Sequence, residues 1–222
     1  MMKFLCFIII VIFASCSNPT EPSGNSSISA VSCSLPDSLF ALKNISSSDL
    51  AGHFYYDENG NAYTDSSGNL KLVLMDADQK RQYIDSIPPY DIEWITTDWQ
   101  MHFVAKQDKI GSFTPIIVSA GGTDYSSMIL VLLDSACRPV SHFILSGGEC
   151  GEDPSYCDLK QSSLNRKEIR SYVRSIVGPE NWYESDSLLV DSVNYLTQIL
   201  EDGSFETRKM DSTRYKRISF IQ

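Results

Sequence analysis

Thiols are the chemical groups whose number and spacing say most in this chain. Its 222 residues hold six cysteines, and Cys6 and Cys16 fall within or directly after an apolar N-terminal run. The other four are Cys33, Cys137, Cys150 and Cys157. Four thiols in an exported chain can close two disulfides, in any of three pairings. Cys150 and Cys157 bracket Gly151-Glu152-Asp153-Pro154-Ser155-Tyr156, and Pro154 favours a bend. That pair is expected to close, leaving Cys33 to Cys137; free thiols are the alternative. The spacing fits no zinc pattern and no histidine lies near in sequence, so no metal site and no cofactor are assigned.

Other reactive residues are scattered. The chain has no G-x-S-x-G elbow, no glycine-rich phosphate loop and no H-E-x-x-H pair. His53, His102 and His142 lie in separate segments and read as solvated strand-face residues. Oxygen side chains at Asp57, Asn59 and Asn61 suggest a calcium loop, but Gly68 stands where an EF-hand needs glutamate. Acidic residues are common, yet nothing marks the spaced pair that a glycosidase uses. The reading is therefore a non-catalytic interaction or ligand-binding domain, with a surface glycan-binding protein serving uptake as the alternative and an envelope hydrolase as a third reading. Exposed aromatics can stack on sugars or anchor a protein contact. Trp182 and Tyr183, in a polar stretch after Gly178-Pro179, are the candidate ligand-binding residues.

The first residues give an address. Lys3 precedes an unbroken apolar run from Phe4 to Ala14, too short to cross a bilayer and suited to a secretory signal. Phe13-Ala14-Ser15-Cys16 resembles the lipobox of bacterial lipoproteins, with Phe13 in place of the usual Leu. The resemblance covers only these residues. It implies removal of residues 1–15 and several acyl chains on Cys16, hence firm anchoring to a membrane. Ser17, rather than Asp, follows Cys16, which by the same resemblance implies the bacterial outer membrane. Asp-Ser pairs at Asp37, Asp85, Asp134, Asp186, Asp191 and Asp211 are similar to O-glycosylation acceptors of exported Bacteroidetes proteins. Turn formation accounts for any one of them.

Residues 16–32 combine the lipidated cysteine with a polar stretch lacking apolar period, expected to be a flexible tether. Residues 33–222 are of a size for one domain, and 42% apolar residues can build its core. The net charge is −10, or −11 once Lys3 is removed, which disfavours nucleic-acid partners. The partners left are the membrane, an envelope protein or a glycan.

The elements that must position these residues read as strands. Trp99 to Lys106 alternates and predicts a half-buried strand; Phe113 to Ala120 is a second, with Pro115 suggesting an edge or a late start. Met128 to Leu133 is wholly apolar and predicts a strand covered on both faces, returning through Pro139 to Leu145 as the centre of the sheet. Asn59-Gly60 and Ser67-Gly68 mark turns. Ser187 to Leu200, Phe205 to Met210 and Thr213 to Ile221 predict three further strands, with a hairpin turn at residues 201–204. Two helices are expected. One is short, from Pro36 to about Asn44. The other starts with the Asn165–Glu168 capping pattern and carries Ile169, Tyr172, Val173, Ile176 and Val177 to Gly178; a strand is the alternative here, since β-branched residues are frequent in it. The fold class is mainly β, an antiparallel meander or open barrel-like sheet with one or two short helices.

Overall fold

The computed structural model describes residues 33–45, 55–56, 62–63, 72–85, 100–121, 126–147, 159–177 and 187–218. Two multi-stranded sheets dominate, and they do not close into a barrel. The first is an antiparallel meander of β5 (Gln100–Lys106), β6 (Thr114–Gly121), β7 (Ser126–Leu133) and β8 (Pro139–Ser146). Two short strands share the outer edge of β5: β1 (Leu42–Lys43), parallel, and β4 (Val73–Leu74), antiparallel. The second sheet is a meander of β9 (Leu159–Asn165), β10 (Glu168–Val177), β11 (Ser187–Ile199) and β12 (Phe205–Ile218). A bridge between Gly147 and Lys160 joins the end of β8 to the start of β9. A small hairpin pairs β2 (Tyr55–Tyr56) with β3 (Ala62–Tyr63), across the first predicted turn. The second predicted turn lies outside the described residues.

The apolar run places β7 as its composition demands. Ile129, Val131 and Leu133 enter one core cluster, and Met128, Leu130 and Leu132 enter the other, all at most 1% exposed. The hairpin as a whole is not the centre, however. β6 is central, with β5 and β7 beside it, while β8 lies at the margin and only Leu145 of it is fully buried. Pro115 therefore sits in a central strand rather than an edge. It is tolerated at the second residue, where β6 has passed the end of the β5 ladder and its carbonyl accepts the Gln107 N–H at 3.0 Å.

β5 was expected to be wet on one face; instead Met101 to Ala105 are all buried. One face is covered by Leu35 and Phe40 from the N-terminal segment and by Tyr83 and Ile84. Phe40 and Tyr83 meet Phe103 edge-on, at 5.4 and 5.9 Å between ring centres. The ladder is irregular between Phe103 and Ala105, and Val104 and Ala105 both join the second cluster. His102 is consequently 1% exposed, not solvated.

Tyr83 and Ile84 arrive on a helix unforeseen in sequence. Asp76 caps α1 (Ala77–Lys80), its carboxylate accepting the N–H groups of Asp78 and Gln79, and Gln79 Oε1 accepts the Asp76 N–H in return. The coil then widens into a π-helical turn, Arg81–Asp85. The expected helix after Pro36 shrinks to one 3₁₀ turn, Asp37–Leu39. Lys43 at 2.6 Å and Lys106 at 3.2 Å clamp Asp37, and the chain extends into β1.

The helix expected from residue 165 is the β9–β10 hairpin. Asn165 and Glu168 are cross-strand partners closing a two-residue turn, and Arg166 takes a left-handed φ of 53°. Residues three apart that resemble a capping box equally close a tight turn. Ile169 and Val173 share one face of β10, Tyr172 and Ile176 the other. β-branched residues suit that pleated surface. Likewise, the last two predicted strands are one, β12. The β11–β12 register slips between Asn194 and Tyr195, whose partners are Asp211 and Lys209, so Met210 is bulged out.

The second sheet docks through Ile169 and Ile199, which are buried among Leu130, Leu132 and Leu145, with Leu164, Phe143 and Phe205 packed against them. The predicted turn at residues 201–204 presses onto the first sheet. Gly203 holds a φ of +84° with the Phe113 ring against it, and its carbonyl accepts from Ser141 Oγ. A disulfide joins Cys33 to Cys137 of the β7–β8 turn, Cα atoms 4.8 Å apart.

Candidate functional site

The face of the second sheet opposite Ile169, Thr197 and Ile199 carries side chains that can recognise a ligand. Strand register sets them in rows. Gln161, Tyr172, Asn194 and Asp211 stand opposite one another across β9, β10, β11 and β12. The next row is Ser163, Arg170, Leu196 and Arg208. Between the rows runs an open groove of about 460 Å³. Leu196, 6% exposed, is its most buried apolar wall residue, and the bulged Met210 forms a rim, 52% exposed.

The groove is partly locked. Asn194 Nδ2 donates to Asp211 Oδ1 at 2.6 Å, which fixes the amide and leaves its carbonyl oxygen to accept. Arg170 offers donors, Gln161 both donor and acceptor, and Tyr172 a ring with a hydroxyl. Asp211 is the one carboxylate among the described residues lining it. The back of the sheet is tied by polar pairs: Ser162 to Ser171 at 2.8 Å, Thr197 to Thr207 at 2.8 Å, and Arg214 to both oxygens of Asp191. The Arg214 guanidinium holds the Asp191 carboxyl below the usual carboxylate range. These bonds stiffen the strands that present the groove.

Of the residues singled out in sequence, Cys33 and Cys137 meet as expected. Cys16, Cys150, Cys157, Trp182 and Tyr183 lie outside the described residues, as do His53 and the Asp57–Asn61 stretch. His102 and Ser119 are cross-strand partners sealed inside the first sheet, at 1% and 0% exposure. Among the described residues no group of three or more His, Cys, Asp or Glu side chains could hold a metal ion, and no helix is long and apolar enough to cross a membrane. Sequence reading missed Tyr172 and Arg170 because it preferred a helix over the strand alternative for this segment. Period-two alternation from residue 168 is the signal that would have set them on one strand face.

Comparison with known proteins returned nothing: no family model, no curated protein and no solved structure matches the chain.

Proposed function

We propose that the protein is a ligand-binding protein of a bacterial cell envelope, held to the outer membrane by lipid on Cys16, and that its β domain binds without catalysis. The address is carried by the apolar run ending at Phe13-Ala14-Ser15-Cys16. The binding reading is carried by one observation: four strands present Gln161, Tyr172, Asn194 and Asp211 as a row over a groove, with the amide and acid already bonded to each other. Groups held in place before binding lose less entropy on contact. A lone carboxylate in the groove favours recognition over hydrolysis, since glycosidases work with two.

A saccharide is the second reading, favoured by the tyrosine ring flanked by planar amide, acid and guanidinium groups. Sugars offer hydroxyls to such groups and a C–H face to the ring. Full-length protein in neutral detergent, titrated calorimetrically with neutral hexose and N-acetylhexosamine oligosaccharides, tests this. Tyr172→Ala should weaken any binding about tenfold, the equivalent of roughly 1.4 kcal/mol. Binding untouched by Tyr172→Ala and Asn194→Ala together would remove the groove from the account. If no saccharide binds, cross-linked pull-down from intact cells should recover a partner with wild type and lose it with the double variant.

A further inference from the structure

A second cleft, of about 650 Å³, opens among turns and shares no lining residue with the groove. Three separate segments build it: Asn44 and Ile45 after β1, the β5–β6 turn, and the β9–β10 turn. Ile45 and Ile110 are buried beside it. Lys109, Arg166 and Lys167 line it, with Asp108 as the single acid among the described lining residues. In a chain of net charge −10 this is a local inversion of sign.

The three cations also differ from others in the described chain. Lys43 and Lys106 are spent on Asp37, Arg138 on Asp134, and Arg214 on Asp191. Lys109, Arg166 and Lys167 have no ion-pair partner among the described residues. Gln107 adds a buried amide nitrogen, Nε2, without a hydrogen-bond partner. Leaving a buried donor unsatisfied is costly.

The turns are held before any ligand arrives. Asn44, at φ 52°, donates its N–H to the Lys106 carbonyl at 3.1 Å and accepts the Asp108 N–H at 2.8 Å. Ile110 and Phe113 exchange both backbone bonds. The Lys167 carbonyl accepts from Ile199 at 2.9 Å. Arg166 is kept in the left-handed region, where asparagine or glycine would be more usual, so its guanidinium projects from a fixed turn.

We infer that this cleft binds a phosphate-class oxyanion through Lys109, Arg166 and Lys167. Three cations lining one cleft match a multiply charged anion better than a lone carboxylate, and guanidinium pairs phosphate oxygens in a fork. The phosphate could belong to a lipid headgroup or to a soluble ligand. Cys33 is fastened to the β7–β8 turn, which lies at the same end of the first sheet as the β5–β6 turn. The inference stands on the cleft alone and does not depend on the groove.

Full-length protein in neutral detergent micelles, titrated calorimetrically with inorganic phosphate, tests it. Lys109→Gln, Arg166→Asn and Lys167→Gln combined should lower the affinity at least about tenfold, since each lost charge-assisted bond is a substantial term. Arg166→Asn alone suits the left-handed turn, removes one charge and should weaken binding about threefold or more, with thermal melting showing an intact fold. Lys209→Gln with Lys216→Gln, on β12, should leave binding unchanged. Micelles doped with phosphatidylglycerol, against phosphatidylcholine, separate the sources: a response to the anionic lipid that the triple variant loses points to a headgroup, and a response to free phosphate alone points to a soluble ligand. No wild-type binding of either phosphate or phosphatidylglycerol, or equal binding by wild type and triple variant, overturns the inference.

Discussion

Replacing Leu132 by alanine tests the burial on which the first sheet rests. Leu132 is fully buried on β7, between Pro115 of β6 and Ser141 of β8, in the cluster where the second sheet docks. The change removes three buried carbons, worth about 2.4 kcal/mol at about 0.8 kcal/mol each. Strands on both sides and packed layers above and below restrict collapse, so the cavity left behind adds about 1 kcal/mol or more. The expected loss is about 3–4 kcal/mol. Leu74→Ala on β4, at 53% exposure, gives the comparison and should cost under about 1 kcal/mol. Urea unfolding of residues 31–222 as a soluble chain, followed by circular dichroism and tryptophan fluorescence, measures both. The two probes must coincide for the comparison to hold. A cost below about 0.5 kcal/mol for Leu132→Ala would mean that β7 is not covered on both faces.

Other consequences are equally measurable. Gly203→Ala meets both a φ of +84° and the Phe113 ring, 2.9 Å from the added carbon, and should destabilise by about 1–3 kcal/mol in the same urea assay; a neutral result would unseat the β11–β12 turn from the first sheet. The Cys33–Cys137 disulfide links residues 104 apart in sequence, so Cys33→Ser with Cys137→Ser should cost about 3–5 kcal/mol by unfolding, and non-reducing peptide maps of wild type should show that pair linked. Asp134 has its carboxyl pulled below the usual range by the Arg138 backbone N–H, then by the Arg138 guanidinium. A depressed folded-state pKa contributes stability above about pH 4 and loses it as pH falls further. Stability should therefore decline on acidification, with a shallower decline in Asp134→Asn; identical acid profiles would contradict the bonding of Asp134 to Arg138.

Legibility in sequence followed the strength of local signals. Met128 to Leu133 could only be a doubly covered strand, because six apolar side chains leave no face for water. The glycine turn at Gly203 and the Cys33–Cys137 pair were likewise readable. The Asn165–Glu168 spacing was not, because the same two residue types cap a helix or close a hairpin, and only pairing with β11 decides between them. β5 misled for a related reason: alternation reports which side chains are apolar, and cannot report that His102 will be covered by distant segments. The Asp76–Gln79 capping box was present in sequence but lies before a helix of only four residues, too short for an apolar stripe. The candidate groove was invisible because its row is assembled from four strands, one residue each.

The account of the protein as an anchored envelope component depends most on Cys16. Mass analysis of the mature N-terminal peptide, from protein purified out of its native membrane, examines that residue directly. An N-terminal Cys16 carrying acyl chains, with residues 1–15 gone, is the result expected, and Cys16→Ser should stay unprocessed or be released from the membrane. An unmodified Cys16, or cleavage at another position, would contradict the anchor and with it the proposed place of this β domain in the cell.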